Sequence, residues 1–113
     1  MSRFVVRLLP QARKDADHIY AWLTAHSVAG GKNWLSAFVH ALRTLEHEPL
    51  AHGFAAETAL RKLDIRQKLF KSRRGRVYRV LFLVIDNEVR IVRLRGPGQP
   101  PLRARELPRN LGR

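Results

Sequence analysis

The chain has 113 residues, 45% of them apolar, and no cysteine, which suits one domain with a real core and removes disulfides and thiolate metal sites. Nothing in it has the pattern of a disordered tract, a repeat array, a signal peptide or a membrane-spanning helix, so a soluble cytoplasmic protein with no membrane association is expected. Its 22 basic residues, 17 of them arginine, against 9 acidic ones give a formal charge of +13, the balance of a domain that seeks a polyanion, either nucleic acid or an acidic protein.

Arg3 to Leu9 is predicted as a strand closed by Pro10, which cannot donate to a ladder. Gln11 to His26 places Ala12, Ala16, Ile19 and Leu23 at helical spacing, with Tyr20 beside them. Ser27-Val-Ala-Gly-Gly31 reads as a break. A second helix is expected from about Lys32 to Glu48, with Trp34, Leu35, Phe38, Ala41, Leu42 and Leu45 on one side and Pro49 as its stop. The short joint makes the pair an antiparallel hairpin, which Trp22 and Trp34 are expected to anchor.

Pro49 to Leu63 is ambiguous, part loop with room for a short helix around Ala55 to Leu60. The period then becomes that of a sheet: strands at Ile65 to Lys71, Val77 to Ile85 and Val89 to Arg95, joined by turns at Ser72 to Gly75 and Asp86 to Glu88. Gly96-Pro-Gly-Gln-Pro-Pro101 stops regular structure. The expectation is one α+β domain over 1–101, a strand, a helical hairpin and a three-stranded antiparallel meander in one sheet packed on the helices, followed by a mobile basic tail over 102–113.

Register decides which arginines share a surface. A two-residue turn between the last two strands would place Arg79 with Val92 and Leu94, apart from Arg93 and Arg95. A three-residue turn at Asp86 to Glu88, favoured because it segregates charge on one face, pairs Ile85 with Val89, Leu83 with Ile91, Leu81 with Arg93 and Arg79 with Arg95, placing Tyr78, Val80, Phe82, Val84, Val92 and Leu94 under the helices. Arg79, Arg93 and Arg95 then form a cationic end that invites an anion, because like charges opposite each other on a sheet repel. Leu81, Leu83, Ile85, Val89 and Ile91 form an apolar patch on the same face. It is either a partner-binding surface or covered by Leu102, Leu107 and Leu111 of the tail. Arg73, Arg74 and Arg76 sit in the turn before the long strand, as solvated charges.

Tyr78-Arg-Val-Leu-Phe82, Ile85-Asp-Asn-Glu-Val89 and Val92-Arg-Leu-Arg-Gly96, after Leu63-Asp-Ile-Arg-Gln67, resemble the RelE/ParE superfamily of toxins from bacterial type II toxin–antitoxin systems, over about Arg3 to Pro101. The resemblance implies a cognate acidic antitoxin, which would account for the patch and the charge. It also implies one of two targets. A RelE-like toxin cleaves messenger RNA on the ribosome, needing a base, cations for the phosphate and an acid. Arg79 matches the family's phosphate-stabilising arginine, and Lys68, Lys71 and Tyr78 are the remaining candidates for proton transfer. No Tyr, His or Lys follows Tyr78, and Arg103, Arg105, Arg109 and Arg113 are poor proton donors. A ParE-like toxin inhibits DNA gyrase without such chemistry, and the incomplete nuclease set favours it. A basic module that only binds nucleic acid or a partner is the third reading.

No cofactor or metal is expected. His18, His26, His40, His47 and His52 lack a completing carboxylate or thiolate at recognisable spacing. Asp15, Asp17, Glu46 and Glu48 read as solvated helix ends.

Overall fold

The computed structural model describes residues 3–61, 63–72 and 75–108. In chain order come β1 (Val5–Leu8), α1 (Pro10–His26), α2 (Val28–Leu45), a 3-10 turn at Pro49–Ala51, α3 (Thr58–Arg61), β2 (Arg66–Lys71), β3 (Val77–Ile85), β4 (Glu88–Arg95) and a 3-10 turn at Ala104–Glu106. Among the described residues no helix is long and apolar enough to cross a membrane. The expectations for Arg73, Arg74, Arg109, Leu111 and Arg113 concern residues outside those described.

The four strands form one sheet in the order β1-β4-β3-β2. The last three make the expected antiparallel meander, while β1 pairs with β4 in parallel. The helical hairpin carries the chain across the sheet from β1 to β2 at the opposite edge, and the meander then returns to set β4 beside β1.

The break between the helices is a single residue rather than Ser27 to Gly31. Ser27 is extended, its N–H donates to Leu23 O at 2.8 Å, and its hydroxyl accepts from the Gly30 N–H at 3.0 Å, so it ends α1 and caps α2 at once. Gly30 and Gly31 therefore lie inside the first turns of α2. Gly31 is there for closeness: a Cβ at that position would collide with the Thr24 side chain of α1. At the other end α2 stops at Leu45, ahead of the expected Glu48, and the chain tightens through Glu46 and His47. The residue preceding a proline is disfavoured in helix, so the winding must cease before Glu48-Pro49.

The β3–β4 turn also differs from expectation. It has two residues, Asp86 and Asn87, with Asp86 at φ 55°, a left-handed conformation that aspartate tolerates. Ile85 consequently faces Glu88, Val84 faces Val89 and Phe82 faces Ile91. A bulge at Val92 then shifts the register by one, so that Leu81 faces Arg93 and Arg79 faces Arg95 as the sequence suggests. Because one residue of slip exchanges the faces of a strand, Val89 and Ile91 lie under the helices and Val92 lies on the reverse, opposite to expectation.

Each face of the sheet carries its own core. Under the helices, Ala12, Ala16, Trp34, Phe38 and Leu45 meet Tyr78, Val80, Phe82, Val89, Ile91 and Leu94. Trp34 stacks on Phe38 with ring centroids 5.1 Å apart, and Phe70 stacks on Tyr78 at 5.6 Å. On the reverse, Leu81, Leu83 and Val92 are covered by Ala55 and Ile65 and by Leu102 and Leu107. The chain beyond Pro101 is thus packed, not loose, as far as Leu107. That segment covers Leu81 and Leu83, with Ile85 half-buried beside them, the second of the two expectations for the patch; Val89 and Ile91 are buried on the opposite face, under the helices.

Candidate functional site

The sequence proposes Arg79, Arg93 and Arg95 as one anion-binding surface, and the structure gives each of them an internal partner. Arg79 projects from β3 onto the reverse face. Its Nη1 and Nη2 donate to Glu57 Oε1 and Oε2 at 3.1 and 2.8 Å, and Nη1 also donates to Gln67 Oε1 at 3.0 Å. Two parallel bonds between guanidinium and carboxylate are the strongest geometry available to such a pair. Glu57 is the anion that the Arg79–Arg95 pairing calls for, supplied from the turn preceding α3.

Glu57 is fully buried, and its Oε2 accepts a third hydrogen bond, from the Leu102 N–H at 2.9 Å. Burial, the largest influence on its titration, favours the neutral acid. The Arg79 hydrogen bonds, followed by backbone N–H donation from Leu102 and from Glu57 itself, outweigh it and hold the carboxyl below its ordinary value. The group is a permanent carboxylate at neutral pH.

Arg93 uses the end of the sheet. β1 stops at Leu8, opposite Ile91, and leaves the edge of β4 free just where α1 begins. Asp15 of α1 fills that edge: it accepts from the Leu94 N–H at 2.9 Å and from Arg93 Nε and Nη2 at 2.7 and 3.0 Å. Arg93 Nη1 reaches Glu106 O at 2.7 Å. Asp15 is therefore a buried-edge acceptor rather than a solvated helix end. Arg95 is buried, and its Nη2 donates to Pro100 O at 2.5 Å, while its Nε has no hydrogen-bond partner among the described residues.

These three arginines share a second property. Through Glu57, Arg79 holds the N–H of Leu102; Arg95 holds the carbonyl of Pro100; Arg93 holds the carbonyl of Glu106. Together they clamp residues 100–106 across the reverse face. The signal for Glu57 in the sequence is faint: one acid amid Phe54-Ala-Ala-Glu-Thr-Ala-Leu60, inside the stretch whose structure the periodicity leaves open.

The proton-transfer candidates do not converge on Arg79. Lys68 pairs with Val80 and Tyr78 with Phe70, which puts both on the helix-facing side, whereas Lys71 pairs with Val77 on the reverse. The Tyr78 ring is buried, and burial, only partly countered by the Arg76 charge, raises its hydroxyl above its ordinary pKa. Among the described residues no group of three or more His, Cys, Asp or Glu is placed to hold a metal ion. Of the tryptophans, Trp34 is buried as expected but Trp22 is 58% exposed and anchors nothing in the hairpin.

A strand, a helical hairpin and a three-stranded meander, in the sheet order β1-β4-β3-β2, make a fold of the RelE/ParE type. Residues 6–100 match the family of ParE toxins of the type II toxin–antitoxin system parDE, and the chain belongs to that family. A cognate antitoxin is accordingly its partner. No curated protein and no solved structure matches the chain.

Proposed function

We propose that this toxin arrests growth by inhibiting DNA gyrase in the cytoplasm, without chemistry of its own, and that an acidic antitoxin neutralises it. The reading is supported above all by the engagement of Arg79 with Glu57. The arginine that would stabilise phosphate charge in a nuclease already holds a buried carboxylate by two hydrogen bonds, and a segment of chain lies across it. The separation of Lys68 and Tyr78 from Arg79 by the thickness of the sheet supports it further. On this reading Arg79, Arg93 and Arg95 serve the fold, and the target is met by other surfaces. Antitoxin contact at Leu81, Leu83 and Ile85 would require displacement of Leu102 and Leu107, which cover them.

The test is a supercoiling assay with purified toxin and gyrase, run beside messenger RNA on translating ribosomes. Suppressed supercoiling with intact transcripts is expected. Unaffected supercoiling at saturating toxin contradicts the proposal, and transcripts cleaved in the presence of toxin would move the protein to the nuclease branch.

A further inference from the structure

A cleft of about 770 Å³ opens between the second half of α1, the start of α2, the chain entering β3 and the Gly96–Gln99 loop. Its volume lies within the range of about 300–1,000 Å³ common to small-ligand sites. Trp22 forms part of one wall. The indole lies against the His26 ring, tilted by 33° at a centroid distance of 4.2 Å, and is more than half exposed, an unusual state for so large an apolar side chain. Arg76 lines the cleft from the entry to β3, exposed and without an ion pair among the described residues. Asn33 of α2 and Gln99 add side-chain amides; Gln99 accepts from the Gly96 N–H through Oε1 and keeps its NH2 as a donor. Among the described residues no carboxylate lines the cleft, in a chain of charge +13.

We propose that this cleft binds an unpaired nucleotide of a single-stranded nucleic acid, its base stacked on Trp22 and its phosphate held by Arg76. A flat aromatic face, a guanidinium and two amides are complementary to base plane, phosphate and base edge respectively. A duplex keeps its bases stacked on one another and cannot offer one to the ring, so the strand must be single. An acidic peptide would satisfy Arg76 but leave the ring and amides without matching partners. The inference does not depend on gyrase being the target, and its test contains none.

The experiment is a titration of the purified full chain with a ten-nucleotide oligothymidylate, with oligouridylate, the corresponding duplex and a glutamate decapeptide as parallel arms. Trp34 is buried, so fluorescence quenching reports Trp22. Quenching by one or both single strands is expected, and the stronger of the two tells DNA from RNA. Followed by anisotropy of a labelled strand, Trp22→Ala should weaken binding by about tenfold, as loss of one stacked base does, while Trp22→Phe restores it. Arg76→Gln should reduce the slope of log affinity against log salt by about 0.7, one phosphate contact on a single strand. The proposal is overturned if saturating oligonucleotide leaves the fluorescence unchanged, or if a correctly folded Trp22→Ala binds as wild type. It is equally overturned if the duplex shows the same dependence on Trp22, or if only the peptide quenches.

Discussion

The two faces of the sheet are closed by different means. Beneath the helices, aromatic and aliphatic side chains from α1, α2, β3 and β4 meet in an apolar layer whose members recur at helical and strand periods. On the reverse, a smaller apolar cluster is completed by a segment without regular period, held by guanidinium groups that bind two carboxylates and two carbonyls. The first kind of closure depends on area removed from water, the second on a few directed bonds that must be made together. The faces should therefore fail differently.

The largest effect is expected on the helix face. Phe82→Ala removes a fully buried ring and should cost about 3–5 kcal/mol in denaturant unfolding. On the reverse face, Glu57→Gln leaves the Arg79 charge without its counterion. Since Arg79 is about one-fifth exposed, the expected loss is about 2–3 kcal/mol, below that of a wholly buried pair. Hydrogen exchange at the Leu102 amide should quicken in that variant, while amides of α2 stay protected. Equal costs for the two substitutions, or exchange that quickens everywhere at once, would erase the distinction between the faces.

The comparison sharpens with pH. Glu57 has a folded pKa depressed from 4.5, so it binds fewer protons folded than unfolded near that value. Its contribution is fully present above 4.5 and is lost as pH falls through the lower folded value. Glu88, held down first by its Arg90 hydrogen bond, and Glu106, held down first by the Arg103 N–H, titrate in the same direction. The difference in denaturation midpoint between wild type and Glu57→Gln isolates Glu57: it should shrink as the solution is acidified below 4.5. A difference that stays constant would mean that the carboxylate is not the active species. The smallest effect belongs to the rim, where Arg7→Ala removes a mostly exposed contact with Glu88 and should leave the denaturation midpoint unchanged within experimental error.

What could be read from the sequence follows the same division. Hydrophobic period located both long helices, all four strands and most of the helix-facing core, because burial against a regular element repeats at a fixed interval. It could not place Val89, Ile91 and Val92, whose faces are set by a two-residue turn and a bulge that no pattern of apolar residues announces. Nor could it join Glu57 to Arg79 or Asp15 to Arg93, separated by 22 and 78 residues, since charge partners distant in sequence leave no period. The arginines were conspicuous, and their number suggested a polyanion. Three of them instead use anions and carbonyls that the chain itself provides.

The claim that Arg79 serves the fold can be tested without knowing the target. Glu57→Met combined with Arg79→Met removes both charges together, so that neither is left buried alone; the Leu102 N–H loses its acceptor, and the double variant should be less stable than wild type by about 1–3 kcal/mol. Expressed without antitoxin, a double variant that remains folded at the growth temperature should arrest growth as wild type does. A folded double variant that has lost toxicity, beside a toxic wild type, would contradict the account and return Arg79 to the target-binding surface.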